Sequence, residues 1–459
     1  MRRAALLWGV FVLPGNGALF HAEAERVFPM NHTIHLKKQL RCIYLSNFFS
    51  GLRITDAVWV ALLAARGFSL WEIGLAESVY HIVSLLCEVP SGMAADLLGR
   101  KRALVAGGIL AVLSSLLMAF APGLFLICAA MGLNALSNAM FSGTDAALTY
   151  DSLKQAGQEE RYLSVAANRS QIGMLASALG SLASTLRRFL RFSGFYLVSA
   201  LFSSISTLAM LLLKEPVVTE AQAARSSHSL RELPGQFAQL VRDSAAALHG
   251  CPLAAKLIAA DAVISVPCYL TKMFLQQRLV ELGWPTEWLF LPLLLGGAAC
   301  VAGTEIGRRV HPHTLRRFYT VCALLVGGGT FLVGAAPAWG GILGMMLVQG
   351  VLEVWLLHAD QRLNALISSD QRATLISVDS MAYSILMIPA SPFVGAVGDL
   401  FGQAGAGLAL LGVLTAAAGR RYWPSAGAEF YHKTQKTAAA SGEIAAVLSF
   451  MLSSTFCKP

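Results

Sequence analysis

Apolar stretches long enough to cross a lipid bilayer recur along the whole chain, and they leave it few other folds. They fall at about 42–65, 72–95, 102–121, 123–147, 162–184, 191–213, 253–275, 286–306, 318–336, 340–362, 373–397 and 403–420. A bilayer-spanning helix needs about 20 apolar residues. Within lipid each backbone N–H and C=O must be satisfied inside its own segment, so runs of this length predict helices. The expected fold class is an all-α membrane protein with twelve transmembrane helices. Composition agrees, since 56% of the 459 residues are hydrophobic and 13% charged, with a mean hydropathy of +0.60. A soluble domain carries about 25% charged residues, and so apolar a chain has ample surface to bury and is not disordered.

One long polar stretch, between 214 and 250, divides the spans into two halves of six. The chain therefore reads as an N-terminal extension (1–36), a first six-helix bundle (37–213), a cytoplasmic linker (214–250), a second six-helix bundle (251–420) and a cytoplasmic tail (421–459). Leu230, Leu233, Phe237 and Leu240 follow helical spacing and predict an amphipathic helix lying on the membrane at the end of the linker. In the extension, Met1, Arg2 and Arg3 precede an apolar run and then Ala22 and Ala24, the order of a secretory signal. Met30, followed by a polar lead with Lys37, Lys38 and Arg41, is the alternative and preferred start. A faint internal repeat points to duplication: Gly99, Arg100 and Lys101 after span two are echoed by Gly307, Arg308 and Arg309 after span eight. Asp145, Arg161 and Ser164 are echoed by Asp360, Arg372 and Ser377.

The formal charge of +9 has a membrane explanation and needs no nucleic-acid partner. Lys and Arg concentrate on cytoplasmic loops. Counted on alternate loops, about two dozen fall on the side of Arg100 to Arg102 and Arg308 to Arg317, against about five opposite. Both termini are thus expected in the cytoplasm, and the protein in the cell membrane. Arg187, Arg188 and Arg191 fall on the other side, where long side chains can snorkel. The eight cysteines are scattered through apolar runs with no metal-ligand spacing, so they read as small buried hydrophobes, and no metal or cofactor is expected.

The most specific local signal is GMAADLLGRK, from Gly92 to Lys101, at the cytoplasmic end of span two. Gly92 and Gly99 would permit a tight turn and close helix approach. Asp96 could cap a neighbouring helix, and Arg100 could pair with a carboxylate on another cytoplasmic helix end. Gly92, Asp96, Gly99, Arg100 and Lys101 therefore read as a gate latch, with Asp145, Asp151 and Arg372 as gate partners.

This motif, the twelve spans, the long central loop and the degenerate second copy resemble the major facilitator superfamily. EVPSG from Glu88, SGTD from Ser142 and RAT from Arg372 look like a largely uncharacterised bacterial branch of it, which would place the protein in a bacterial inner membrane. The resemblance implies the major facilitator fold, in which two six-helix bundles rock about a central cavity, commonly in a monomer. Proton antiporters of the superfamily often carry an Arg in span four and a Gly-Pro signature in span five. Both are missing here.

Charges inside spans cost on the order of 2.5–3.5 kcal/mol each on insertion scales, so each one marks a candidate site. Arg53 and Asp56 share a face of span one, and Glu77, His81, Ser84 and Glu88 a face of span two. Span four presents Asn134, Asn138, Ser142 and Asp145, span seven Asp261 and Lys272, and span ten Gln349, Glu353 and Asp360. Of these, Arg53, Asp56, Glu77, His81, Asn134, Asn138, Asp261, Gln349 and Glu353 are taken as substrate- or proton-binding candidates. Glu353, Asp56 or Glu77 is expected to bind a proton or a cationic group, and Tyr80, Phe141, Trp355 and Tyr383 are aromatics that could line a cavity. No HExxH, nucleophile elbow or phosphate loop occurs. The favoured function is proton-coupled efflux of an amphipathic or drug-like compound, with metabolite uptake or facilitated diffusion as the alternative. A transporter-like membrane sensor is the rival of a different class.

Overall fold

Each predicted span becomes a helix or a broken pair of helices. The computed structural model describes residues 35–216, 235, 242, 251–312, 314–366 and 372–421. The first half contains α1 (Leu36–Gly51), α2 (Trp59–Ala64), α3 (Leu70–Leu98), α4 (Arg100–Phe120), α5 (Leu124–Phe141), α6 (Thr144–Gln155), α7 (Tyr162–Ser181) and α8 (Phe192–Leu211). The second half contains α9 (Pro252–Glu281), α10 (Phe290–Arg309), α11 (Leu315–Ala335), α12 (Ala338–Leu366), α13 (Arg372–Leu400) and α14 (Ala404–Arg421). The expected membrane-surface helix of the linker, nearly all of the extension and the tail lie outside the described residues, as do the side chains of Asp96 and Arg372.

Among the described residues nine helical segments are long and apolar enough to cross a membrane. The other three predicted spans fall short for distinct reasons. Span one is broken between Leu52 and Val58, span five is interrupted by Asn168, Arg169 and Gln171, and span twelve is a short apolar helix. Leu86, Phe120, Phe125, Leu208, Val301 and Leu343 project outward, as lipid-facing side chains do.

The apolar core is joined at one end of the molecule and split at the other. At the end carrying Asp399, Ile54, Ile73 and Phe195 of the first half pack in one cluster with Phe274, Met387 and Leu408 of the second. At the end carrying Arg100 the halves have separate cores, one around Leu104, Leu148 and Met210 and one around Tyr319, Val326 and Trp355. The hydrogen bonds between halves agree. Among the described residues they join Ser184 to Glu287 and Phe290, Gln276 to Asp56 and Val60, Ser78 to Ile388, and Asp399 to Leu70 and Trp71.

The Asp399 contact is a helix cap supplied from the opposite half. Ser69 and Glu72 form a capping box at the start of α3. The Asp399 carboxylate then accepts from the N–H of Leu70 at 2.9 Å and of Trp71 at 2.8 Å, so a negative charge sits on the positive end of the helix. A cap of this kind contributes about 0.5–2 kcal/mol. Asp399→Ala should therefore lower the melting temperature of the detergent-solubilised protein by a few degrees, read with a thiol-reactive dye on its buried cysteines. An unchanged melting temperature would show that the cap is not stabilising.

Close glycine contacts let the halves meet here. A Cβ added to Gly74 of α3 would lie 2.5 Å from the Ser391 carbonyl oxygen and 2.7 Å from Pro392 Cα, and one on Gly395 of α13 would overlap the Leu70 carbonyl.

Candidate functional site

The break in span one makes the floor of a cavity. The sequence suggested that Arg53 and Asp56 share a helical face, and the structure corrects this. After Gly51 the chain turns tightly, with the N–H of Arg53 bonded to Gly51 O and that of Ile54 to Leu52 O. Irregular backbone at membrane depth survives only where protein groups satisfy it or where it lines a cavity, and both hold here. The Gln276 amide of α9 donates to Asp56 O at 2.7 Å and accepts from Val60 N–H at 3.2 Å. Arg53 and Asp56 remain a loose pair 4.0 Å apart, both open to the cavity.

The cavity has a volume of about 710 Å³ and runs from this break toward the Arg100 end. Asn47 of α1, Glu77 and Tyr80 of α3, Asn134 and Asn138 of α5, Arg169 of α7 and Lys272 of α9 reach its wall. Serines 46, 50, 114, 115, 137, 177, 199 and 203 add hydroxyls. Asn138 is oriented by its own helix, donating to Asn134 O at 3.1 Å. Span four is broken at Ser142 and Gly143, where Gly143 takes a φ of +70° that suits glycine. Asp145 therefore lies on the separate helix α6, where its partner is Arg169.

Glu77 and His81 are the buried titratable pair at the seam. They are 2% and 5% exposed, and Glu77 Oε1 lies 3.4 Å from His81 Nε2. Neither nitrogen of His81 has an aligned hydrogen bond among the described residues. Tyr80 of the first half and Tyr383 of the second surround the imidazole, with ring centroids 5.3 and 5.5 Å away. Tyr269 of α9 lies 6.3 Å from the same ring and against the Glu77 carboxylate.

Several candidates lie elsewhere. Glu353 sits between α12 and α10 beside Cys300 and Thr304, and Gln349 donates to Cys268 O at 3.3 Å. Asp261 accepts from Trp355 Nε1 at 2.7 Å and Ser265 Oγ at 3.2 Å. None of the three reaches the cavity wall. Of the expected aromatics, Tyr80 and Phe141 line the cavity, whereas Trp355 is wholly buried in the core of the second half.

The gate motif closes a tight turn. Gly99, at φ +99°, ends α3 and begins α4. Arg100 donates to Ala147 O at 2.6 Å and pairs with Asp151 of α6, the kind of carboxylate partner expected for it. Glu215 accepts from the N–H of Arg100 and Lys101 at 2.8 and 2.7 Å. Gly92, expected to allow close helix approach, instead faces open space.

A broken-helix bundle enclosing a polar cavity can be set against known proteins. The family model of the Major Facilitator Superfamily matches residues 43–359. The chain belongs to the major facilitator superfamily. Its relative in Bacillus subtilis (strain 168), an uncharacterized MFS-type transporter named YxaM, is 26% identical over 178 residues, which cover 38% of this chain and 44% of the relative, less than half the relative's length. Among solved structures, the nucleoside transporter NupG superposes with a TM-score of 0.63 at 16% identity, covering 85% of this chain and 97% of that one. A D-xylose-proton symporter gives 0.59 at 12% identity, covering 85% and 98%. At such identities these superpositions establish the fold, and the superfamily is one of membrane transporters rather than enzymes.

Sequence reasoning missed Arg169 and Gln276 as cavity groups. Arg169 announced itself as a charge inside a predicted span, within Asn168-Arg169-Ser170-Gln171. Gln276 gave no local signal, because its role depends on backbone 216 residues earlier in the chain.

Proposed function

We propose that the protein is a proton-coupled secondary transporter that carries a small polar organic solute into the cell by alternating access, with Glu77 as the proton-binding carboxylate. The observation that carries this reading is the polar cavity lying against the seam of the two halves, with Glu77 on its wall. A carboxylate held between Tyr269 and His81 feels any change in how the halves meet, so its proton and their contact are linked. With the Asp399 end sealed and the cores parted at the Arg100 end, the form described is the one open toward the cytoplasm, given the expected orientation. The Arg100–Asp151 pair and the Glu215 cap hold the cytoplasmic gate motif together within the first half.

The sequence alone favours efflux of amphipathic or drug-like cargo. The hydroxyl and amide lining favours a hydrophilic solute instead, because it offers hydrogen-bonding capacity that apolar cargo cannot use. Similarity in fold to a nucleoside transporter and a D-xylose-proton symporter supports a hydrophilic cargo and import. The test is reconstitution in liposomes containing a pH-sensitive dye, with nucleosides, pentoses, hexoses and sugar acids added outside. Substrate-dependent acidification of the lumen is expected. Solute entry without acidification would overturn proton coupling, and proton exchange with cationic amphiphiles alone would replace import by efflux.

A further inference from the structure

Among the described residues, two of the three cations on the cavity wall have a carboxylate partner and the third has none. Asp145 is taken by Arg169, and Asp56 lies 4.0 Å from Arg53. Lys272 is left over. It is partly buried on α9, one turn from Tyr269 and one from Gln276, and all three residues line the cavity, as offsets of three and four on one helix face dictate. Among the described residues no carboxylate comes within ion-pair distance of its ammonium and no hydrogen bond satisfies it. An unmatched charge at membrane depth is costly and is kept where it meets cargo.

We propose that Lys272 anchors a carboxylate on the transported solute, making the cargo a small hydroxylated organic acid with a single negative charge. The inference deepens the proposed polar-solute transport and rests on it. With Glu77 carrying its transported proton, the wall holds three cations against two carboxylates, so a monoanion leaves the occupied cavity neutral where a phosphate ester would not. The rest of the molecule finds partners across the cavity. Asn134 and Asn138 of α5 and Ser50 of α1 present amides and a hydroxyl to the same space, groups that hydrogen-bond the hydroxyls of such an acid. A solute held by Lys272 from the second half and by these residues from the first bridges the two bundles. Carried with one proton, the monoanion crosses without net charge, so its import runs on the pH gradient and is indifferent to membrane potential.

The test is binding to the purified full-length protein, read by thermal shift and by tryptophan fluorescence. Gluconate and galacturonate are compared with glucose, galactose, uridine and glucose 6-phosphate. An acid should bind the wild type, lose at least ten-fold affinity in Lys272→Gln and recover part of it in Lys272→Arg. The unliganded Lys272→Gln protein should keep its melting temperature, which separates lost binding from lost folding. If glucose, galactose or uridine binds wild type and Lys272→Gln alike while the acids do not bind, the carboxylate assignment falls and polar-solute transport stands. Preference for glucose 6-phosphate also overturns the monoanion. If no compound binds, the assignment and the polar-solute reading fall together.

Discussion

Glu77→Gln is expected to leave a carrier that exchanges solute and no longer accumulates it. Gln has the shape of a protonated Glu and cannot release the proton, so solute counterflow at equal pH should stay within about two-fold of wild type. Uptake driven by a pH gradient should fall at least ten-fold, because the step that links proton and solute is gone. The pH dependence of uptake should flatten, because residue 77 no longer takes up or releases a proton. The groups facing Glu77 are His81 and Tyr80 on its own helix, Tyr269 and Tyr383 from the second half, and Arg53 and Asp56 across the cavity. His81→Gln in parallel assigns the proton. If the pH profile survives Glu77→Gln and vanishes in His81→Gln, the imidazole is the coupling group.

Gly395→Leu should hold the two halves apart at the Asp399 end. The added side chain starts on top of the Leu70 carbonyl, and backbone on both sides of the crossing leaves it no rotamer to escape into. Conformations in which α3 and α13 separate would be spared, so the equilibrium shifts away from the form described. Spin labels at Arg66 and Phe401, both near that end, should move apart. Transport should drop more than ten-fold, since a carrier unable to seal one side cannot complete its cycle. Unchanged label distance with unchanged transport would mean that the crossing is not a seal.

The helices were legible because the length of an apolar run is a local property that lipid enforces. Which way a polar stripe faces is not local. Gln349 and Glu353 share a face of α12, as their spacing required, yet that face turns toward Cys300 and Thr304 of α10 and away from the cavity. Asn134 and Asn138 obey the same periodicity on α5 and do reach it. The broken first span was hidden for a related reason: the residues from Leu52 to Val58 look helical by composition, and the Gln276 amide that satisfies their backbone comes from the other half. Asp399 capping α3 is likewise a contact between segments more than 300 residues apart, which only the assembled fold reveals. Arg100 with Asp151 was readable, because a basic residue fixed by flanking glycine invites a carboxylate from a neighbouring helix end.

The Arg169–Asp145 pair also bears on how the chain is made. Helix α7 is not among the nine segments apolar enough to cross a membrane, and a central Arg such as Arg169 costs on the order of 2.5–3.5 kcal/mol at insertion. Asp145 is synthesised 24 residues earlier, on the segment that enters just before. The counter-charge is therefore already in place when the arginine arrives, and the Asn47 amide of α1 is waiting for the Arg169 carbonyl. The order of the sequence thus supplies the partners of the fifth helix before the helix itself.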